Sequence, residues 1–348
     1  MSQIPIDIEN LLALTVKMGA SDLHCGSMQP AYVRVHGQLQ EVNSQQVPAK
    51  IIEKWLLEFL GPELFEEFQD RGDADFAIES KSGERFRVNA YVEQKNITLA
   101  LRHLRSDIPS FDDLGLPVVP REWSTHQTGL VIITGPTGSG KSTTVASMVN
   151  KANQEDAFHI LTIEDPVEYI MPAGKSVVRQ REIGSDTSDF PRAIRSGLRE
   201  DIDIMVIGEM RDLETIAAAI TVAETGHLVF ATLHTNNATQ AIDRIIDAFE
   251  PSEQPLIRSR LSACLVGVIY QRLIPSIAGG RVAAYEVLVA NYAVKNLIRE
   301  GKTHQIPNTM TTAMGEGMQS MERSLQDLVK AGKIDAAVAK SFLFSNIK

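Results

Sequence analysis

Apolar residues recur at helical spacing over Ile6 to Met18 and Lys50 to Phe68, and in short strand-like runs at Ala31 to Val35, Phe86 to Val92 and Thr98 to Leu104. Together they predict a small α+β domain over residues 1–105. The segment 106–117, from Ser106 to Pro117, concentrates prolines and turn formers and reads as a linker. Beyond it the pattern changes. Apolar strands at Leu130 to Thr134, His159 to Ile163, Ile204 to Ile207 and Leu228 to Thr232 alternate with helical stretches at Thr143 to Asn153, Leu213 to Glu224 and Ala238 to Phe249. That alternation predicts an α/β sheet covered by helices over 118–348. The last hundred residues read as helices, including Ala293 to Arg299 and Met321 to Lys330. Met310, Met314, Met318 and Met321 follow helical spacing and read as core packing.

A chain of 348 residues is long enough for about two domains with their own cores, which agrees with the change of pattern. The net charge of −10 argues against a surface that attracts nucleic acid as a whole, although it leaves a local basic groove open. No apolar run approaches the ~18 to 20 residues that span a bilayer, and the N-terminus lacks the basic and apolar segments of a signal peptide. A cytoplasmic location is therefore expected. Cys25 and Cys264 lie far apart without a C-x-x-C spacing, so they read as reduced packing residues, with no disulfide framework or structural zinc.

The most specific chemical signal is Gly135-Pro136-Thr137-Gly138-Ser139-Gly140-Lys141-Ser142-Thr143, which matches G-x-x-x-x-G-K-[ST] and follows an apolar strand. Gly135, Gly138 and Gly140 permit backbone conformations that a Cβ would hinder. Successive N–H groups can then converge on phosphate oxygens at the start of a helix. Lys141 is expected to hold the β- and γ-phosphates of ATP, and the Ser142 hydroxyl to complete a Mg²⁺ shell.

Hydrolysis also needs acidic groups. Glu164 and Asp165 directly follow the strand His159 to Ile163, where carboxylates face a nucleotide crevice, and Glu164 is the candidate general base. Glu209 follows Ile204 to Ile207 and Gly208 and is placed near Mg²⁺, positioning metal and water. His227 and His234 bracket Leu228 to Thr232 and are candidate sensors of bound phosphate, with a structural role open for each. His24, His103 and His126 receive no catalytic role. In Arg85-Phe86-Arg87-Val88-Asn89, strand alternation puts Arg85 and Arg87 opposite Phe86 and Val88; with Arg102 on the next strand they can form a basic patch or an exposed strand face. Arg195 and Arg199, at i, i+4, read as subunit-contact residues.

Several of these segments resemble one family. Ala20-Ser21-Asp22-Leu23-His24, Thr162-Ile163-Glu164-Asp165-Pro166-Val167-Glu168, Gly208-Glu209-Met210-Arg211-Asp212-Leu213-Glu214-Thr215 and Ala223-Glu224-Thr225-Gly226-His227-Leu228, with the phosphate loop, look like the type IV pilus retraction ATPases. The resemblance spans nearly the whole chain. It implies an α/β protein with a PAS-like N-terminal α+β domain, then a RecA-like P-loop ATPase domain with a helical C-terminal region. It implies a homohexamer hydrolysing ATP with Mg²⁺ at the cytoplasmic face of the inner membrane. A membrane platform protein would link it to the pilus, and a paralogous retraction ATPase would be a further partner. No direct contact with nucleic acid is expected. The resemblance assigns Glu164 to an Asp box, Glu209 to an atypical Walker B element, and His227 and His234 to a His box. It makes Arg87 and Arg102 arginine fingers reaching the γ-phosphate of a neighbouring subunit.

Two further segments bear on subtype. Assembly and type II secretion ATPases of this kind commonly carry a four-cysteine zinc module after Gln-Arg-Leu, but Gln271-Arg272-Leu273-Ile274-Pro275 runs within ten residues into Arg281-Val282-Ala283-Ala284-Tyr285-Glu286. Ala293-Val294-Lys295-Asn296-Leu297-Ile298-Arg299-Glu300 resembles the retraction motif A-I-R-N-L-I-R-E, from which Val294 and Lys295 depart. Lysine keeps the charge but loses the planar guanidinium fork. An accessory retraction ATPase, another secretion or DNA-translocating hexamer, and a nonenzymatic nucleotide-gated scaffold remain open alternatives.

Overall fold

A computed structural model of the chain describes residues 7–35, 37–42, 45–104 and 107–344. Ile6, at the start of the first expected helix, and Arg105 and Ser106, at the expected domain edge, lie outside the described residues, as do the chain ends at 1 and 348. The chain divides into two compact units, Met1–Asp107 and Ile108–Lys348, in a mixed α/β fold.

Unit 1 is built on six strands: β1 (Asp22–Gly26), β2 (Ala31–Val35), β3 (Gln38–Glu41), β4 (Asp73–Glu79), β5 (Arg85–Glu93) and β6 (Asn96–Leu104). They pair antiparallel in the order β3-β2-β1-β6-β5-β4. Alternation decides the faces. Phe86, Val88 and Ala90 of β5 and Leu99 and Leu101 of β6 are buried, and they share a core with Leu11, Leu12, Ile52, Trp55, Leu56 and Phe68 of the two helices Ile8–Lys17 and Ala49–Arg71. The second helix is not continuous. Gly61 (φ 74°, ψ 171°) breaks it, because the following Pro62 lacks an N–H and disfavours a helical residue before it.

Unit 2 holds β7 (Gly129–Thr134), β8 (His159–Glu164), β9 (Val177–Glu182), β10 (Ile204–Ile207), β11 (Leu228–Leu233), β12 (Leu265–Pro275) and β13 (Arg281–Val289). Their order is β13-β12-β7-β11-β10-β8-β9, parallel throughout except that β13 runs antiparallel to β12. Every residue of β7, β10 and β11 is buried, as a parallel sheet covered on both faces requires. Along β7, Leu130 and Ile132 join the core with the helices Leu213–Glu224, Ala238–Asp247 and Gln254–Cys264. Val131 and Ile133 face the other side, with Trp123 and the helix Lys141–Glu155.

The expectation of helices throughout the last hundred residues is corrected. Leu265–Pro275 and Arg281–Val289 are sheet strands, set between the helix Gln254–Cys264 and the helical segments that follow. Leu265–Pro275 is an eleven-residue, mostly buried run that directly follows a helix, and its apolar spacing alone does not separate strand from helix. The methionine series reads correctly as core packing for Met310, Met318 and Met321, which are buried in the core of unit 2, and is corrected for Met314. Met310 sits in Ile306–Thr312 and Met321 starts Met321–Lys330, while Met314 lies between them in a 3-10 turn and is 45% exposed. The segment read as a linker carries a short helix, Phe111–Leu114, capped by Ser110 and Asp113. Tyr285 Oη donates to Leu114 O at 3.0 Å, tying it to β13.

Candidate active site

Residues 135–140 leave β7 at its C-terminal end and turn into the helix Lys141–Glu155, with Gly140 (φ 86°) at its N-cap. The glycines are required by space as well as by φ. A Cβ at Gly135 (φ 150°) would lie 2.4 Å from Gln271 O, and one at Gly140 would lie 2.9 Å from Gln271 Nε2. The loop is pressed onto β12 at both ends.

Lys141 Nζ donates to Gly135 O at 2.9 Å and Pro136 O at 3.1 Å, so the ammonium is drawn back along its own loop. Burial lowers its pKa, against the opposing pull of the Glu209 and Glu168 carboxylates. Ser139 is 3% exposed, and its buried Oγ has no hydrogen-bond partner among the described residues. A buried hydroxyl with an unmet bond, on the loop that also draws in the Lys141 ammonium, suits an anion. Ser142 and Thr143 are the second and third residues of the helix, and Thr143 Oγ1 lies 2.9 Å from Tyr169 Oη.

Because β7, β8, β10 and β11 run parallel, their C-terminal ends meet at one edge, which brings the loop, Glu164, Glu209 and His234 together. Glu164 closes β8. It accepts from Thr162 Oγ1 at 2.7 Å and Gln180 Nε2 at 3.3 Å, and burial raises its pKa above the ordinary carboxylate value. Gly208 crosses close to that strand end, its N–H donating to Ile163 O at 2.8 Å. Glu209 follows it and is gripped from both sides, by Arg211 Nη2 at 2.7 Å and by His234 Nε2 at 3.2 Å. His234 Nδ1 lies 3.5 Å from Lys141 Nζ. The residues thus form the chain Lys141, His234, Glu209, Arg211. An imidazole facing an ammonium through Nδ1 is neutral there and donates to Glu209 through Nε2–H. Consistently, burial and then the Lys141 charge lower the His234 pKa. Thr235 N donates to Thr134 Oγ1 at 3.0 Å, fixing the exit of β11 to that of β7.

Not every expected residue arrives at this edge. His227 precedes β11, next to the start of β7, where Gly129 N donates to His227 O at 3.0 Å. Six strand residues, roughly 20 Å, separate it from the C-terminal edge. The two histidines therefore stand at opposite ends of β11, since parallel strands collect only their like ends, and His234 is the one beside the phosphate loop of its own chain. His227 Nδ1 instead lies 3.2 Å from Thr225 Oγ1 and Val222 O. Arg87 and Arg102 belong to unit 1, directly paired across β5 and β6 on the face away from its core. Arg102 Nε donates to Asp22 Oδ1 at 2.9 Å, and Arg87 Nε lies 3.8 Å from Asp75 Oδ1. Arg195 Nη1 faces Glu214 at 3.9 Å, and Arg199 Nη1 bonds back to Arg195 O at 3.0 Å.

Sequence reasoning missed Arg211, Gln180 and Gln271. Arg211 lay inside a quoted motif, and only its contact gives it weight. Gln180 sits on β9, a strand too polar on its outer side to register, and Gln271 is a buried amide whose strand was read as helix.

Comparison with known proteins agrees with this geometry. Residues 2–279 match the family described as type II/IV secretion system protein. The chain is 43% identical over 335 residues to the type IV pilus retraction ATPase PilT of Pseudomonas aeruginosa, covering 96% of this chain and 97% of that one. It belongs to the type IV pilus retraction ATPase family. It is 36% identical over 330 residues to the type IV pilus ATPase PilU of the same organism, covering 94% of this chain and 86% of that one. A crystal structure of the pilus retraction motor PilT with bound ADP superposes with a TM-score of 0.90 at 42% identity, covering 97% of each chain. The present member of the family is an ATPase with a nucleotide site. No helix among its described residues is long and apolar enough to cross a membrane.

Proposed function

We propose that this chain is a hexameric ATP-hydrolysing motor that powers type IV pilus retraction and twitching motility. In this reading residues 1–105 form a PAS-like domain, 106–117 a linker and 118–348 a RecA-like P-loop domain with C-terminal helices. The observation that carries the ATPase chemistry is the convergence of the phosphate loop, half-buried Glu164 and the Lys141–His234–Glu209–Arg211 chain at one sheet edge.

Backbone N–H groups of 137–143 hold the phosphates, and Lys141 exchanges the carbonyls of Gly135 and Pro136 for phosphate oxygens. Glu164 takes the proton of the attacking water. Its raised pKa makes it a stronger base than an exposed carboxylate, and Thr162 and Gln180 fix its orientation. His234 reports the γ-phosphate: a shift of Lys141 towards the nucleotide removes the partner of Nδ1, and the change passes through Nε2 to Glu209 and Arg211. The hydroxyl of Ser142 and the carboxylate of Glu209 are hard oxygen donors that fit Mg²⁺ shared with phosphates, and the described residues build no cluster of three or more His, Cys, Asp or Glu for an all-protein cage. Magnesium, when bound, neutralises charge on the β- and γ-phosphates. Arg87 and Arg102 act on the nucleotide of a neighbouring subunit, and hydrolysis changes the relation between adjacent subunits. His227 serves the family's His box from the far sheet end and so acts outside its own chain's phosphate loop.

The motor works at the cytoplasmic face of the inner membrane through a platform protein, with a paralogous retraction ATPase as a further partner. An accessory retraction role is the second reading, favoured by the similarity to PilU and by Lys295 in place of arginine in the A-I-R-N-L-I-R-E motif. Expressing the chain in a strain that lacks its own retraction motors distinguishes the two. Twitching restored by this chain alone supports the principal motor. Rescue only together with a second retraction ATPase supports the accessory role, and no rescue in either background contradicts both.

A further inference from the structure

Gln271 sits on β12 between Tyr270 and Arg272, is 2% exposed, and presents an amide to the underside of the phosphate loop. Its Nε2 donates to Ser139 O at 2.6 Å, and its Oε1 accepts from Thr144 Oγ1 at 2.8 Å. The orientation follows from chemistry: a carbonyl oxygen can only accept, so the amide nitrogen must face Ser139, and the Thr144 hydroxyl supplies the proton for Oε1. The two contacts straddle the turn from loop to helix, one before Lys141 and one after it. The backbone of the same residue fixes the loop entrance, since Gln271 O lies where a Cβ of Gly135 would be. One buried residue thus touches both ends of the loop and the first turn of the helix.

We propose that Gln271 is a positioning residue for nucleotide binding: it clamps Ser139 and Thr144 so that the loop N–H groups converge before phosphate arrives. The Gln271 amide bonds to Ser139 and Thr144, so it acts through the loop. A preformed cradle spares the ordering cost that a slack glycine-rich loop would incur on binding. It also predicts a particular kinetic signature. The loop N–H groups hold phosphates in ground state and transition state alike, so losing the clamp weakens uniform binding. KM for ATP and Kd for ADP rise together, while kcat changes little. The inference rests on the ATPase reading for the KM measurement and stands apart from it for ADP affinity.

The test compares full-length wild type, Gln271→Glu and Thr144→Val by phosphate release and by titration calorimetry with ADP. Gln271→Glu keeps the shape and the Thr144 contact but sets an acceptor against Ser139 O. It should raise KM and the ADP Kd by about 10- to 100-fold with kcat within about 3-fold of wild type. Thr144→Val is nearly isosteric and removes one bond, so a parallel rise of about 3- to 10-fold is expected. It carries the test by the same criteria if the glutamate variant does not fold. A wild-type ADP Kd in a folded variant, or a fall in kcat at unchanged KM, overturns the role of Gln271 and leaves the ATPase reading standing. A wild type that binds ADP but does not hydrolyse ATP overturns the ATPase reading, and the ADP affinities still decide the clamp.

Discussion

Glu164 is caught between stability and chemistry. Burial raises its pKa in the folded chain, so the folded state prefers the neutral carboxyl. The sign follows. A folded pKa above the unfolded one contributes stability that is complete below the unfolded value of 4.5 and is lost as pH rises through the folded value. Near neutral pH ionisation therefore favours the unfolded wild type, a penalty that Gln would not carry. Glu164→Gln is expected to raise Tm at about pH 7 and to leave Tm unchanged at about pH 4, as read by scanning calorimetry. A second consequence concerns rate. As pH falls through the raised pKa, the base is protonated, so the acid limb of kcat against pH should lie above the ordinary glutamate range. A limb that stays at or below that range would move the base elsewhere. Burial and Lys141 lower the His234 pKa towards the same range, so the limb is assigned to Glu164 by repeating the profile with His234→Gln.

At the scale of elements, β12 joins the site to the fold. It pairs with β7, and its register shifts between Leu265 and Gly267. Gly267 permits Trp123 to approach: a Cβ there would lie 2.3 Å from Trp123 Cη2 and 2.7 Å from Leu288 O. Ring and backbone cannot both yield, so Gly267→Ala should cost about 1 to 3 kcal/mol by overpacking, measured as a lowered denaturant midpoint. A wild-type midpoint would mean that Trp123 is free to move. The same strand marks where the sequence stops being legible. The phosphate loop was readable because its glycines, lysine and hydroxyls have fixed spacing, and the central strands because parallel strands buried on both faces are continuous β-branched runs. Glu164, Glu209 and His234 followed from standing at strand ends. Leu265–Pro275 was not readable, since a buried strand and a buried helix have the same composition and differ here only in which neighbour they pair with. Gln271 was hidden with it. Its value lies in contacts 127 and 132 residues away in sequence, which no local pattern carries. That His227 precedes β11 was legible, but that this end of β11 meets the start of β7 depends on strand direction.

At the scale of the whole molecule the proposed arginines belong to one unit and the phosphate loop to the other. If Arg102 completes a neighbour's site, defects in different subunits should complement. Arg102→Ala and Glu164→Gln chains, each inactive alone, are expected to regain turnover when mixed, up to about a quarter of sites being intact in a random closed ring. Mixtures no more active than their components would leave Arg102 without a role across the boundary. The central claim is that the edge where the loop, Glu164 and the Lys141–His234–Glu209–Arg211 chain meet hydrolyses ATP. Steady-state phosphate release by purified wild type and Glu164→Gln, with ADP affinity and assembly measured on the same samples, tests it most directly. The account predicts wild-type turnover and a loss of about 10²-fold or more in a variant that still binds ADP and assembles normally. Equal turnover by the two chains would contradict it.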